Sequence, residues 1–361
     1  MDVATFGCEA VADVEPQALG LTYWFDAADE GAPYSVKIRF AGRRIGVKRK
    51  PGPRDSFSVV EHVEHVVPGT GPVAITVRVF DIAPGEWHVT ASPVAEAGAG
   101  GRTGSRSARP GNLPKAAASG ATAFGPIMRV RAPGARIGVW PALVGVGVVV
   151  ALLTQWLLAS RVDLPTTRIL LVSLAASLVG LAGAKLYYLV EHRGEDHGVL
   201  TSGMCIQGFV LGAIGAIVVG VQIAGMSIGL VLDVTAPGLL FGMTIGRYGC
   251  FFGGCCAGRP TGSRFGLWSS DRRLGIRRIP TQLFESTLAF VIGVIAFLLV
   301  WNPTIRPAGV VFVGAISAYT LGRQLLFPLR DLPRKVGHGR ILVMGIAAVI
   351  LAIDIAVAVL R

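Results

Sequence analysis

The sequence predicts an all-α polytopic membrane domain of about seven transmembrane helices, preceded by a small all-β domain of the immunoglobulin-like sandwich type. Three observations carry that expectation. The 361 residues are 52% hydrophobic and only 16% charged, with a mean hydropathy of +0.59, which leaves too little polar surface for a soluble protein of this size. Long apolar runs begin near residue 138 and continue to the C-terminus. Ahead of them lie alternating polar and apolar stretches separated by Pro/Gly turns, the pattern of short strands. These composition shifts divide the chain into a β domain over residues 1–95, a basic flexible linker over 96–137 and a membrane domain over 138–361.

In the first segment, Tyr34 to Phe40 and Val73 to Phe80 alternate strictly. Shorter strands are expected at Phe57 to Val60 and Glu86 to Thr90, with turns at Lys50 to Pro53 and Pro68 to Pro72. This spacing suits a small sandwich. The segment shows no catalytic constellation: His62, His65 and His88 read as solvated strand-face residues rather than a metal trio. The first ten residues, MDVATFGCEA, lack a charged stretch leading into an apolar one, so no cleavable signal peptide is expected.

The linker is rich in Ala, Gly and Ser, with seven basic residues and one acid, Glu96, over 96–136. Such a segment beside a membrane span is expected to lie along anionic lipid. The net charge of +12 has the same explanation. The arginines flank apolar runs and form no aromatic-interleaved basic stripe, so no nucleic-acid partner is expected.

Seven spans follow, at about 138–159, 168–190, 204–224, 228–250, 281–301, 308–327 and 340–360. Each can reach across a hydrocarbon core that takes roughly 20 helical residues. The fourth is interrupted by Asp233 and Pro237. Two readings stand there: an acid at head-group level, or the broken helix of a transporter, although the two halves show no repeat symmetry. Arg259, Arg264, Arg272, Arg273, Arg277 and Arg278 crowd the loop 252–280. Arg330, Arg334 and Lys335, and Arg129, Arg131 and Arg136, fall on the same side. The positive-inside rule places that side in the cytoplasm.

Of five cysteines, Cys8, Cys205, Cys250, Cys255 and Cys256, three crowd into seven residues. That is no secreted disulfide framework. Their Cys-x4-Cys-Cys order lacks the two-plus-two spacing of structural zinc sites, and Cys205 would have to supply a fourth ligand from another span. No metal or cofactor is expected. Packing as small apolar residues is the default for at least one of them.

The chemistry concentrates in Gly246-Arg-Tyr-Gly-Cys-Phe-Phe-Gly-Gly-Cys-Cys-Ala-Gly-Arg-Pro-Thr261. Five glycines allow close backbone approach. Arg247, at the end of an apolar helix, needs either an anion or an interfacial snorkelling position, and a lipid phosphate suits its planar fork. Further on, Gln282 and Glu285 share one face at the start of the fifth span, with Thr281 as a candidate N-cap. Tyr319 and Arg323, at i and i+4, share a face of the sixth span, where an arginine is costly unless it meets a polar cavity.

These segments together, with Gly203 to Gly212, resemble the prolipoprotein diacylglyceryl transferase family over residues 138 to about 360. The resemblance implies an enzyme that moves a diacylglyceryl group from phosphatidylglycerol to a cysteine thiol in the signal region of a lipoprotein precursor, releasing glycerol phosphate. It implies catalytic roles for Arg247, Tyr319, Arg323 and the third-helix position, here Gln207. It implies a substrate-binding set of Arg247, Gly249, Cys250, Gly254, Cys255, Gly258, Gln282 and Glu285. It also implies a plasma-membrane location with the signature facing outward, opposite to the charge count. Three positions depart from the family pattern: Gln207 replaces a histidine, Cys250 an asparagine and Cys255 a glutamate. Gln207 cannot take a proton at a useful pKa. A thiolate at Cys250 or Cys255, favoured by the charge of Arg247, is the candidate replacement. Two other functions fit parts of the pattern: a non-catalytic phospholipid-binding membrane protein, and a transporter.

Overall fold

The computed structural model describes residues 1–4, 14–48, 50–94, 113–191, 206–302, 307–331 and 339–360. Cys8, Cys205, the first part of the expected linker (96–112) and the side chain of Gln207 lie outside the described residues. The chain forms two compact units. One comprises Met1–Leu143, Arg247–Phe284 and Leu326–Pro333; the other comprises Val144–Gly246, Glu285–Leu325 and Arg334–Arg361.

The first unit is built on two antiparallel sheets. Strands β1 (Asp2–Val3), β2 (Gln17–Asp26) and β5 (Pro72–Phe80) form one sheet, with β8 (Ala123–Phe124) on β2. Strands β3 (Tyr34–Arg44), β4 (Ser56–Val66), β6 (Glu86–Pro93) and β7 (Ala116–Ala121) form the other, in the order β4-β3-β6-β7. A one-turn helix, α1 (Gly125–Met128), follows β8. The alternation seen in the sequence is the alternation of faces. Along β3, Val36, Ile38 and Phe40 are buried while Arg39 is exposed, as a period of two requires. They join Leu19, Leu21 and Tyr23 of β2, Ile75 of β5, and Trp87 and Val89 of β6 in one core.

The loop expected over 252–280 contains structure that the sequence reading passed over. Strands β9 (Leu267–Ser270) and β10 (Leu274–Arg278) form a hairpin that extends the first sheet to the order β1-β2-β5-β10-β9. Leu274 pairs with Ile75 and Gly275 with Ala74, and Leu274 and Ile276 enter the sandwich core. Asp271 makes the turn. Its Oδ1 accepts the backbone N–H groups of Arg273 (2.8 Å) and Leu274 (2.6 Å), the local bonding that favours Asp in turns. Trp268 stacks on Trp24 with ring centroids 5.7 Å apart and donates its Nε1–H to the Pro72 carbonyl at 2.9 Å. Within the stretch expected as linker, β7 pairs with β6 from Glu86–Ala121 to Ala91–Ala116.

The membrane domain has seven helices among the described residues: α2 (Val139–Arg161), α3 (Thr166–Glu191), α4 (Ile206–Ile223), α5 (Ile228–Gly253), α6 (Thr281–Trp301), α7 (Val310–Leu326) and α8 (Gly339–Leu360). Among the described residues, six regions are long and apolar enough to cross a membrane, and α4 contributes the shorter apolar stretch Leu211–Ile223. The protein is therefore a multi-pass membrane protein. Small residues bring its helices together, as in other membrane bundles. A Cβ on Gly183 would stand 2.5 Å from the Gly208 carbonyl oxygen, and one on Gly238 would stand 2.4 Å from that of Ala151.

The helix α5 runs unbroken through Pro237, which removes the broken-helix observation behind the transporter reading. Asp233 has a structural task. Its carboxylate accepts the backbone N–H groups of Gly309 (2.8 Å) and Phe312 (2.9 Å), satisfying orphan donors at the start of α7.

Candidate active site

The signature begins inside α5 and ends in a tightly held turn. Arg247 lies six residues before the last residue of α5, about 9 Å along the axis. Gly249 packs against α2, where an added Cβ would meet the Trp140 backbone at 3.4 Å. The helix closes when the Cys255 N–H reaches the Cys250 carbonyl at 3.0 Å, and Gly254 takes a left-handed φ of +66°, the usual way to end a helix. Cys256 follows at φ +55°. This is a conformation that a residue with a Cβ adopts at a cost.

Beyond the turn the backbone threads between two neighbours. Gly258 bridges Arg330, and Pro260 bridges Arg278. A Cβ on Gly258 would lie 2.0 Å from the Ile279 carbonyl oxygen, so this position tolerates glycine alone. The signature glycine is a packing requirement of the turn. Arg259 continues the seam, donating its N–H to the Leu329 carbonyl at 2.9 Å and accepting that of Ile279 at 3.0 Å.

Arg278 locks this region, and the sequence reading missed it by counting it as a loop cation. Its side chain is fully buried. The guanidinium donates to the Gly258 carbonyl (2.9 Å), Asp331 Oδ2 (2.6 Å), Asp271 Oδ2 (2.8 Å) and the Leu274 carbonyl (3.3 Å). Asp271 and Asp331 lie 7 and 53 positions away, so no local pattern announces the clamp. Two more of the loop arginines are also engaged inside the unit: Arg272 donates to the Gly253 carbonyl at 2.7 Å, and Arg273 pairs with Glu61.

Three thiols meet at the turn. The Sγ atoms of Cys250, Cys255 and Cys256 lie within 4.8 Å of one another. Hydrogen bonds with Cys250 and Cys256 push the Cys255 thiol far above its ordinary range. The same bonding, seen from Cys256, drives that thiol far below it, helped by the charges of Arg330 and Arg247. These directions make Cys256, a residue the resemblance did not single out, the more readily ionised of the two thiols beyond the span.

Helix α6 opens at Thr281, with the Pro280 carbonyl accepting the N–H groups of Leu283 (3.0 Å) and Phe284 (3.2 Å). The cap position is thus Pro280, and Thr281 is the first helical residue. Gln282 is buried and gives its Nε2–H to the Cys255 carbonyl at 2.9 Å, so it anchors the cysteine turn. Glu285 is fully buried. On α7, Tyr319 is buried, and its hydroxyl has no hydrogen-bond partner among the described residues. Arg323, one turn later, is half-buried near the end of α7. Arg247, the thiols, Gly258 and Gln282 belong to the first unit, and Glu285, Tyr319 and Arg323 to the second. Gln207 is the first turn of α4, its side chain outside the described residues.

In the β sandwich, His62 and His65 of β4 border a polar cleft of about 650 Å³ with Arg259, Asp271 and Asp331. His88 of β6 instead meets the Ser119 hydroxyl at 3.1 Å.

The apolar helices make this a multi-pass membrane protein, with arginines and glycines set in its helix ends. The family model for prolipoprotein diacylglyceryl transferase matches residues 128–360, and the chain belongs to that family. Similar proteins carry the name phosphatidylglycerol–prolipoprotein diacylglyceryl transferase. One from Dehalococcoides mccartyi is 29% identical over 177 residues, covering 46% of this chain and 67% of the relative. One from Clostridium tetani is 25% identical, covering 56% and 84%. One from Bacillus cereus is 28% identical, covering 58% and 83%.

Proposed function

We propose that this protein transfers the diacylglyceryl group of phosphatidylglycerol to the thiol of a cysteine in the signal region of a lipoprotein precursor. In this reaction a carbon–sulfur bond forms at the glyceryl carbon as its carbon–oxygen bond to phosphate breaks. The thiol gives up its proton, and glycerol phosphate leaves. The phosphate passes from a singly charged diester to a monoester with greater negative charge. Cations placed beforehand around the departing phosphate therefore stabilise the transition state more than the ground state.

The observation that carries the proposal is Arg247, held in the family signature at the end of α5 above a turn that only Gly258 permits. Its guanidinium binds the phosphate. By the family resemblance Tyr319 and Arg323 of α7 also serve the head group, and the buried Tyr319 hydroxyl, without a hydrogen-bond partner among the described residues, can supply a donor. Glu285 and Gln207 orient substrate, while Gly249, Gly254 and Gln282 keep the turn in place beside Cys250 and Cys255. The basic linker lies on anionic lipid of the plasma membrane, and the charge count places the β sandwich in the cytoplasm.

The amide of Gln207, where the family resemblance implies a proton-accepting histidine, favours a second reading: a phospholipid-binding membrane protein without turnover. Purified protein given phosphatidylglycerol and a lipobox-type peptide separates the two. Glycerol phosphate release, enhanced in Gln207→His, supports the transferase. Tight phosphatidylglycerol binding that is lost in Arg247→Ala, with no release from any variant, supports the second.

A further inference from the structure

Cys-x4-Cys-Cys is an unusual metal-site spacing in sequence, but spacing is a proxy for proximity, and here the proximity is visible. The three Sγ atoms lie within 4.8 Å of one another. Sulfurs sharing one metal ion at bonds of about 2.3 Å stand roughly 4 Å apart. A disulfide instead draws two sulfurs to about 2.05 Å and leaves the third out. The arrangement is therefore close to that of a three-sulfur ligand set.

Two further features show that the set is built. The backbone of Cys256 is held at φ +55°, a conformation that L-residues with a Cβ rarely adopt and that persists where surrounding structure enforces it. The turn is also pinned from two sides: the Cys255 N–H donates to the Cys250 carbonyl at 3.0 Å, and the buried Gln282 donates to the Cys255 carbonyl at 2.9 Å.

We propose that Cys250, Cys255 and Cys256 together bind a soft d¹⁰ metal ion, with Cu(I) preferred, releasing their thiol protons as it enters. Soft thiolates select Cu(I) and zinc over harder ions. Ligand number decides between those two: structural zinc takes four ligands, and the cluster supplies three among the described residues. The proposal does not rest on the transferase reading, since ligation uses only these sulfurs.

The test uses the full-length, reduced protein in detergent, titrated anaerobically with Cu(I) in competition with bathocuproine disulfonate, and in parallel with Zn(II). One equivalent of Cu(I) per chain is expected. It should persist in Cys8→Ser/Cys205→Ser and disappear in Cys250→Ser/Cys255→Ser/Cys256→Ser. Thermal unfolding checks that the triple variant is folded, and the three single variants replace it if it is not. Zn(II) retained in preference, with the same cysteine dependence, upholds the site and overturns the choice of ion. Undiminished Cu(I) uptake by the serine variants, or none by the reduced wild type, overturns the site.

Discussion

Arg278 shows how a single residue can be misread from sequence and why. In the sequence it is one of six arginines between two spans, a natural candidate for the lipid interface. In the fold it is fully buried and bonded to two carboxylates and two carbonyls. Removing one partner of a buried charge cluster typically costs 3–5 kcal/mol. Because Asp271 and Asp331 keep part of their exposure, Arg278→Ala should cost about 3 kcal/mol. This is measurable as a lowered unfolding temperature of the purified protein; an unchanged temperature would remove the clamp from the account. Arg247, Gly258 and the three cysteines were legible because they sit in one contiguous signature. The division of labour among the thiols was not. It depends on which sulfurs meet after the chain turns through left-handed Gly254 and Cys256, and no spacing rule encodes that.

At the scale of elements, helices were read nearly to their ends, since a run of 20 apolar residues has few alternatives. The strands with strict alternation, β3 and β5, were equally plain. The hairpin β9–β10 escaped because its strands are four and five residues long, and Leu274 and Ile276 are its only aliphatic residues turned into the core. That hairpin gives a sharp prediction. Ile276 is fully buried among residues of the N-terminal strands, so Ile276→Ala should destabilise the sandwich by about 2–5 kcal/mol. Hydrogen exchange would show it as lost protection in β2 and β5. Loss confined to residues 262–280 would mean that the hairpin merely rests on the sheet.

For the whole molecule, the pairing of β10 with β5 constrains topology. Residues 72–80 and 274–278 share a sheet, so they lie on the same side of the membrane, and an even number of crossings must separate them. Helices α2, α3, α4 and α5 supply that number only if α4 crosses. Reporters at the N-terminus and after Thr261 should therefore agree, and one placed at 303–306 should report the opposite face. Disagreement between the first two would break the assignment of α4. Which face they share is a separate matter. The charge count favours the cytoplasm, but Arg272, Arg273 and Arg278 are committed to partners inside the fold, which weakens the count from this loop.

The central claim is that Arg247 holds the phosphate of a diacylglyceryl donor during transfer to a thiol. Its most direct test is the mass of a lipobox-type peptide after incubation with phosphatidylglycerol and the purified protein. Wild type should add one diacylglyceryl group to the cysteine. Arg247→Ala should slow that addition by about 100-fold or more, the usual effect of removing one preorganised charge-stabilising donor. Addition at the wild-type rate by Arg247→Ala would contradict the account.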